Sequence, residues 1–285
     1  MRKDFIVGLL LAVLGGVLLS AQGGSARAED VAQFAEQDFD CLIEPRVTTK
    51  VGASVTGLIS RVLVNRGDVV KAGQLIAMLE SSVEEANLAL ADTRALNDTQ
   101  LHSATARQGF LQRKSERKEK LKNKEVVSTE SFDEAETEAS IARHSLREAE
   151  LNLRLAGLEK ERANALLQLR RIVSPIDGVI TEKALSEGEY RYETNHIVTV
   201  AQLDPLYVEV FIPMSYYGQT HPGAKAFVVP EKPVGGRYLG TVVVVDRVLD
   251  AASNTFGIRI ELPNPSLALP AGLRCKVRFD AAKMD

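Results

Sequence analysis

Apolar residues recur at alternating steps of four and three through the proline-free segment from about Ser128 to Arg171. The spacing is sustained over more than four heptads and is interrupted only at Lys160. Such a pattern predicts one long helix with an apolar seam facing a partner helix. The seam is rich in alanine, which allows close helix approach, and its members are Ala135, Ala139, Ala142, Leu146, Ala149, Leu153, Ala156, Ala163 and Leu167.

The preceding proline-free segment, from Ser82 to about Lys122, shows a weaker seam made of Val83, Ala86, Leu90, Leu101, Ala104 and Leu111. Its pattern needs one extra residue near Asn97, which predicts a local unwinding. The two segments together predict an antiparallel coiled-coil hairpin with its turn near Asn123 to Val127. Arms of about 40 residues would be roughly 60 Å long, at 1.5 Å per residue.

Two β-rich segments flank this hairpin and repeat each other without a gap at an offset of 121 residues. Each copy has a short strand pattern, a Gly-acid turn and a second strand pattern, with Gly57 matching Gly178 and Gly67 matching Gly188. Glycine at matched turns indicates a backbone that needs positive φ there. Neither half has enough core to fold alone, so the two are predicted to pair into one small sandwich.

The region after Ala201 changes to short strand patterns separated by proline and glycine. They cover 206–212, 224–229, 238–248, 255–262 and 273–279, with one helical turn at 213–218. The stretch Phe39 to Pro45 could supply a sixth strand. This set, without a long helix between its members, predicts a small closed β-barrel.

The N-terminus has a basic start at Arg2 and Lys3, an apolar run from Phe5 to Leu19, and an A-x-A site at Ala26–Ala28. This order is typical of a secretory signal peptide. The run is shorter than the roughly 20 residues that a spanning helix needs. Cleavage after export is the leading hypothesis, and an uncleaved inner-membrane anchor is the alternative.

Composition then narrows the function classes. Charged residues make up 26%, aromatic residues only 5%, tryptophan is absent, and the net charge is −3. None of this favours a nucleic-acid partner. Four histidines and two cysteines are too few and too scattered for a metal framework, and no catalytic motif is present. In an oxidising compartment Cys41 and Cys275 could pair, or they could be two small buried apolar residues.

The split repeat resembles the biotinyl/lipoyl swinging-arm domain, in which a hairpin between the halves presents a lysine for a cofactor. The matching stretch here runs from Leu79 to Val83, and the lysine position is Val83. Valine has no amine to acylate, so no cofactor is expected. In place of the lysine turn stands the helical insertion.

The turn of the insertion carries Arg117-x3-Leu121-x6-Ser128, with Val126-Val127 between the last two and Phe132-Asp133-x-Ala135 after them. This resembles the tip motif of periplasmic adaptor subunits (membrane fusion proteins), in which the Arg, Leu and Ser meet a TolC-type outer-membrane channel. Structural roles remain open for the same residues: an intrahairpin ion pair for Arg117, a last seam contact for Leu121 and a helix N-cap for Ser128.

Charge around this turn is segregated, with a basic run before it and an acidic run after it. Helix dipoles favour this distribution. Antiparallel pairing is expected to place Arg113 near Glu138 and Arg117 near Glu134, so that the hairpin neutralises its own basic run.

The stretch from Asp250 to Gly272 resembles the barrel domain of adaptors of the HlyD/AcrA type. The fold expected is therefore mixed α and β, elongated and multidomain: a lipoyl-like β-sandwich split by a long antiparallel α-helical coiled-coil hairpin, followed by a small β-barrel. The divisions are a signal peptide at 1–28, a linker and first barrel strand at 29–47, lipoyl-like half 1 at 48–81, the hairpin at 82–170, half 2 at 171–202, and the barrel at 203–285. The membrane-proximal domain of many family members is expected to be absent or vestigial.

The resemblance implies a non-catalytic periplasmic adaptor that links an inner-membrane transporter, of the resistance-nodulation-division type, to a TolC-like outer-membrane channel for efflux. A homo-oligomeric ring, hexameric by family analogy, is implied as well. The alternatives are an adaptor of an ATP-driven exporter or secretion system, and an exported self-assembling coiled-coil protein. The cargo is not indicated.

Overall fold

The computed structural model describes Phe34 and residues 36–280, so the predicted signal peptide at 1–28 and residues 281–285 lie outside the described part. The described chain forms two compact units, one from residues up to 47 together with 202–280, and the other from 48–201. The elements are β1 Phe39–Val51, β2 Gly57–Val62, β3 Val69–Val70, β4 Leu75–Leu79, α1 Ser82–Ala95, α2 Thr99–Lys122, α3 Thr129–Gln168, β5 Arg171–Val173, β6 Gly178–Lys183, β7 Tyr190–Arg191, β8 Val198–Pro213, a 3₁₀ turn Met214–Tyr216, β9 Lys225–Pro230, β10 Tyr238–Val245, β11 Thr255–Leu262 and β12 Leu273–Phe279.

The two copies of the repeat exchange strands within unit 48–201. The short strand β3 of the first copy pairs with β6 of the second, and β7 of the second pairs with β2 of the first. One sheet has the order β5-β4-β2-β7, and β3, β6 and the start of β8 form the second layer. Each copy therefore completes the sheet of the other, as predicted from their small individual cores.

The matched turns have the same construction. Gly67 and Gly188 have φ of 97° and 83°, which confirms the predicted positive φ. The Asp68 carboxylate accepts from the Asn65 amide at 2.7 Å, and the Glu189 carboxylate accepts from the Ser186 amide at 2.8 Å. Gly178 serves a different purpose, because a Cβ there would lie 2.4 Å from the carbonyl oxygen of Ala201. The adjacent strands β6 and β8 can approach this closely only where that side chain is missing.

The sandwich encloses an apolar core of alternate strand residues together with one buried cation. Fully buried members include Ile59, Ile76, Ile180 and Ile197, and full burial of such a side chain contributes about 1.5–3 kcal/mol. Arg191 is only 6% exposed. Its guanidinium donates to the backbone carbonyls of Val55, Glu193 and Asn195, and so ties the two copies together.

The helical insertion is built from three helices and not from two uninterrupted arms. The first arm is divided into α1 and α2 by the non-helical residues 96–98, and α3 runs without a break for 40 residues. The break coincides with the skip in the apolar pattern, so the predicted unwinding near Asn97 is confirmed. Leu96 in the break is 72% exposed.

The seam of α3 is confirmed, since all of its predicted members are buried or half-buried. The seam predicted for α1 is wrong. Val83, Ala86 and Leu90 are exposed, and α1 meets α3 through a different face that contains Leu88, Ala91 and Ala95. The error has a physical source: the skip at 96–98 changes which face of α1 continues the seam of α2, and a fixed spacing cannot show by how much.

The other unit contains the predicted closed barrel of six strands. The order is β1-β12-β9-β10-β11-β8, closed by pairing of β8 with β1. Its inward residues are fully buried, among them Val208, Val210, Ile258, Ile260 and Val277. The 3₁₀ turn predicted after Pro213 is present. Within this unit four aromatic rings form a cluster in which Phe34 stacks on Phe279 at 4.8 Å; the other two are Phe39 and Tyr216.

A disulfide and a buried amide side chain stabilise the barrel unit. Cys41 and Cys275 lie directly opposite each other on β1 and β12, with Cα atoms 4.9 Å apart and sulfur atoms joined. Asn264 is 3% exposed, and its side chain donates to the carbonyls of Leu203 and Leu269 and accepts from the Leu269 amide. Both hydrogens of its amide and its carbonyl oxygen thus have partners within the chain, as burial of an amide requires.

Candidate functional site

The candidate site is the end of the hairpin where α2 turns into α3. Two lysines of α2 fix the alignment of the arms: Lys114 Nζ lies 2.6 Å from a Glu138 carboxylate oxygen, and Lys118 Nζ donates to the Ser131 hydroxyl at 2.6 Å. As the α2 residue number rises, the α3 residue number falls. The helices are therefore antiparallel up to the turn.

The turn itself is closed by its own backbone. The Val126 amide donates to the Leu121 carbonyl at 3.0 Å and the Glu125 amide to the Lys122 carbonyl at 2.9 Å, which is a Schellman closure of α2. Glu125 has the positive φ of 58° that this closure requires. Nothing in the sequence signals this role, because glycine is the usual residue at that position.

Ser128 is the N-cap of α3. It has extended backbone angles, and its hydroxyl accepts a hydrogen bond from the Ser131 amide at 3.2 Å. This is the structural role considered for Ser128 from the sequence. The residue is also exposed, so its capping role does not bury it.

Arg117 is exposed, and within the described chain its guanidinium makes no ion pair or side-chain hydrogen bond. The predicted antiparallel alignment is present, but within the described chain no ion pair joins Arg113 to Glu138 or Arg117 to Glu134. Glu138 is paired instead with Lys114, which is half-buried, whereas Arg113 and Arg117 are exposed. The cations of the outer side of α2 are consequently not neutralised by their own hairpin.

Leu121 and Val126 give the tip an apolar surface. Their side chains are 40% and 65% exposed, and the predicted alternative of a last seam contact for Leu121 does not match this exposure. At this end of the hairpin, α2 contacts α3 through Lys122, whose ammonium lies 4.4 Å from the ring centre of Phe132. This is a cation–π contact. The tip thus presents two apolar side chains next to a free guanidinium.

The electrostatics of the hairpin arise from exposed ion pairs. The hydrogen bond from Lys114 is the main cause that lowers the pKa of Glu138 below its ordinary value, although partial desolvation opposes the shift. At the base of the hairpin, Arg170 pairs with Glu84 at 2.7 Å and donates to the Thr56 carbonyl at 3.1 Å. Arg170 therefore connects the helices to the sandwich below them.

Other predicted site residues are placed as follows. Val83, at the lysine position of swinging-arm domains, is the second residue of α1 and 66% exposed. Among the described residues no group of three or more His, Cys, Asp and Glu side chains could hold a metal ion. No helix in the same part of the chain has both the length and the apolar character needed to cross a membrane.

Comparison with known proteins agrees with this architecture. The profile of the CzcB-like, barrel-sandwich hybrid domain matches residues 47–202. The macrolide export protein MacA of Yersinia pestis is 28% identical over 251 residues, covering 82% of this chain and 65% of that protein. The cobalt-zinc-cadmium resistance protein CzcB of Cupriavidus metallidurans is 25% identical over 268 residues, covering 92% of this chain and 47% of that protein.

A similar fold is found in the crystal structure of MacA from Actinobacillus actinomycetemcomitans. The TM-score is 0.70 at 22% identity, covering 85% of this chain and 77% of that one. The chain spans 65% of the first of the two curated relatives and about half of the second. Because the family profile covers more than half of the sequence, the chain belongs to the CzcB-like barrel-sandwich hybrid family, whose members are membrane fusion proteins, the non-catalytic adaptors of efflux pumps.

Proposed function

We propose that this chain is a periplasmic adaptor of a tripartite efflux system, exported by its N-terminal signal. It would join an inner-membrane transporter of the resistance-nodulation-division type to a TolC-like outer-membrane channel. The observation that carries the proposal is the hairpin tip, where Arg117 and Leu121 are exposed at the end of α2, Arg117 has no ion pair or side-chain hydrogen bond within the described chain, and the turn that follows is closed by its own backbone. The names of the relatives, a macrolide exporter and a metal-resistance protein, support efflux as the process.

The tip suits docking for physical reasons. A guanidinium offers five donors in a planar fork, so Arg117 can bind backbone carbonyls or carboxylates at the end of a partner helix. Leu121 and Val126 provide adjacent apolar area, and burial of such area drives association. The Schellman closure and the Ser128 cap hold these groups in place, so that little conformational freedom is lost on binding.

The adaptor itself is expected to carry no catalytic step, cofactor or metal. Its contribution is mechanical: alanine seams let α3 pack closely on α1 and α2, and the Arg170 contacts fix that bundle to the sandwich. Copies are expected to assemble into a ring, six by family analogy. Transport energy would come from the partner transporter.

Photocrosslinking in cells tests the docking. p-Benzoylphenylalanine replaces Leu121 in one strain and Leu96, an equally apolar and more exposed residue of the same hairpin, in a control strain. We expect position 121 to capture an outer-membrane channel and position 96 not to capture it. Arg117→Glu should abolish the capture, whereas Arg143→Glu, the same change at an exposed site on α3, should leave it unchanged.

Capture of only a second copy of the chain from position 121, in cells that contain the channel, would refute docking at the tip. The transporter is identified separately by affinity purification of the full-length protein from crosslinked membranes. Recovery of an ATP-driven exporter would overturn the resistance-nodulation-division assignment while leaving the adaptor role intact.

A further inference from the structure

A groove runs along the contact between α1 and α3, near the base of the hairpin. One wall is the face of α1 from Glu85 to Asp92, and the other is the face of α3 from Lys160 to Leu167. The ion pair between Asp92 and Lys160 joins the two walls at one end of the groove. The cavity volume is about 520 Å³, within the roughly 300–1,000 Å³ of pockets that hold small organic ligands.

The groove has an apolar lining. Leu88 of α1 and Leu167 of α3 are half-buried, and Ala89 is exposed between them. Because Ala89 contributes only a methyl group, space that a longer side chain would fill is left open. Burial of apolar surface in water is favourable, so this lining suits the apolar body of a ligand.

The charged groups of the groove do not balance. Lys160 Nζ lies 2.6 Å from Asp92 Oδ1, so these two charges offset each other. Glu85 accepts a hydrogen bond from the Ser81 hydroxyl at 2.8 Å, which orients its carboxylate but supplies no positive charge. Glu161 has no ion pair or side-chain hydrogen bond within the described chain. Three carboxylates and one ammonium leave a net charge of −2 beside an apolar surface.

This combination selects a class of ligand. In the described part of the chain, no group of three or more His, Cys, Asp and Glu side chains could hold a metal ion, so a bare metal cation does not fit. An anionic compound would be repelled by the two unbalanced carboxylates, and a neutral one would gain nothing from them. The stretch 85–92 rises about 10 Å along α1 at 1.5 Å per residue, which is the length of two or three fused rings.

We propose that this groove binds amphipathic organic cations. The apolar body of the ligand lies on Leu88, Ala89 and Leu167, and its positive charge lies toward Glu85 and Glu161. The inference goes beyond the proposed function, which assigns the adaptor no small-molecule site. It concerns the purified chain alone and does not depend on docking at the hairpin tip.

Two dyes with the same ring system test the ligand class on the purified full-length protein. Rhodamine 6G is a rigid aromatic cation, and fluorescein is its anionic counterpart. Fluorescence anisotropy measures the binding of each. We expect saturable binding of rhodamine 6G and no binding of fluorescein at the same concentrations. The binding of rhodamine 6G should weaken as salt rises, because salt screens exposed charges.

Charge variants then locate the site. Glu161→Gln should weaken the binding of rhodamine 6G by up to about fivefold, the upper range for an exposed charge pair. Lys160→Gln should strengthen it by a similar factor, because the Asp92 carboxylate then loses its partner. Opposite effects from adjacent residues would not arise from a general loss of structure. Glu130→Gln and Lys124→Gln, the same changes at exposed residues near the hairpin tip, should leave binding unchanged.

A variant that fills the groove gives an independent measurement. Ala89→Leu should weaken the binding of rhodamine 6G about tenfold or more, since small changes of volume in an apolar pocket have effects of that size. Ala106→Leu, the same change at an exposed alanine of α2, is the matched control. Circular dichroism should show the same helix content in both variants and the wild type; if Ala89→Leu fails to fold, the charge variants decide.

Three results would overturn the proposal. The first is equal binding of the two dyes, and the second is rhodamine 6G binding that none of the groove variants changes. The third is an Ala89→Leu variant that alters sedimentation velocity but not dye binding, because the groove would then be occupied by a second copy of the chain. No channel or transporter is present in these experiments, so their failure would leave the proposed adaptor function untouched.

Discussion

Arg191 is the residue whose replacement tests the account of the sandwich most directly. It is a cation 6% exposed, and within the described chain it has no carboxylate partner. Its Nη1 donates to the Val55 carbonyl at 3.0 Å, its Nε to the Asn195 carbonyl at 3.1 Å, and its Nη2 to the Glu193 carbonyl at 3.1 Å. Three backbone carbonyls from two parts of the chain thus depend on one side chain.

Arg191→Met keeps the apolar stem and removes all three donors. A hydrogen bond to a charged group contributes about 1.5–3 kcal/mol, which sets an upper limit near 4.5–9 kcal/mol for the three. Two terms reduce the loss: the desolvation of the buried cation is recovered, and the loop at 192–196 can turn its carbonyls to water. We expect a net loss of about 2–4 kcal/mol in the free energy of unfolding of the sandwich unit.

Urea denaturation followed by circular dichroism, with hydrogen exchange of strands β2 and β7 to localise the effect, measures the loss. Arg171→Met is the matched control, because that arginine is exposed on β5 and surface changes stay within about 0.5 kcal/mol. Arg191→Lys should recover less than half of the loss, since an ammonium cannot reach three carbonyls in the plane of a guanidinium. Stability of Arg191→Met within about 0.5 kcal/mol of the wild type would refute the reasoning.

Four further predictions concern other parts of the chain. Asn264→Ala should lower barrel stability by about 2–4 kcal/mol, because it leaves buried carbonyls and an amide unpaired; thermal unfolding measures it, and a change below 0.5 kcal/mol contradicts it. Replacement of Cys41 and Cys275 by alanine should cost about 3–5 kcal/mol, because the bond closes a loop of 234 residues; thiol titration of the unfolded wild type should find no free thiol, and two free thiols would contradict the bond. Glu125→Gly should raise the melting temperature of the hairpin by relieving the φ of 58°, whereas an unchanged or lower value would contradict the strain. Because the pKa of Glu138 is lowered in the folded state, its contribution is present above the pKa of the unfolded carboxyl and is lost as pH falls through the folded pKa; Glu138→Gln should remove that part of the acid dependence of unfolding, and an identical pH profile would contradict it.

Much of the architecture follows from local patterns. The 121-residue repeat predicted both the matched turns and their positive φ, since a turn's backbone angles are set by the few residues within it. The four–three spacing predicted the seam of α3, because the helical period alone decides which side chains share a face. The barrel strands were predicted in the same way, from short strand patterns separated by proline and glycine.

The sequence could not specify pairings that depend on distant geometry. It predicted Arg113 and Arg117 as the partners of the acidic run, but Lys114 pairs with Glu138 and Lys118 donates to Ser131. A helical period of 3.6 residues means that a shift of one position rotates a side chain by about 100°, so small offsets between the arms change every cross-arm pair. The α1 seam failed for the same reason beyond the break at 96–98.

By itself, then, the sequence determined the elements, their order, the repeat and the tip motif, because these depend on interactions within a few residues. Only the tertiary structure decided which strands exchange between the copies, which cation is buried, that Cys41 faces Cys275, and that the basic side of α2 points away from its own hairpin. These features depend on contacts between residues far apart in the chain, and such contacts exist only once the chain has closed on itself.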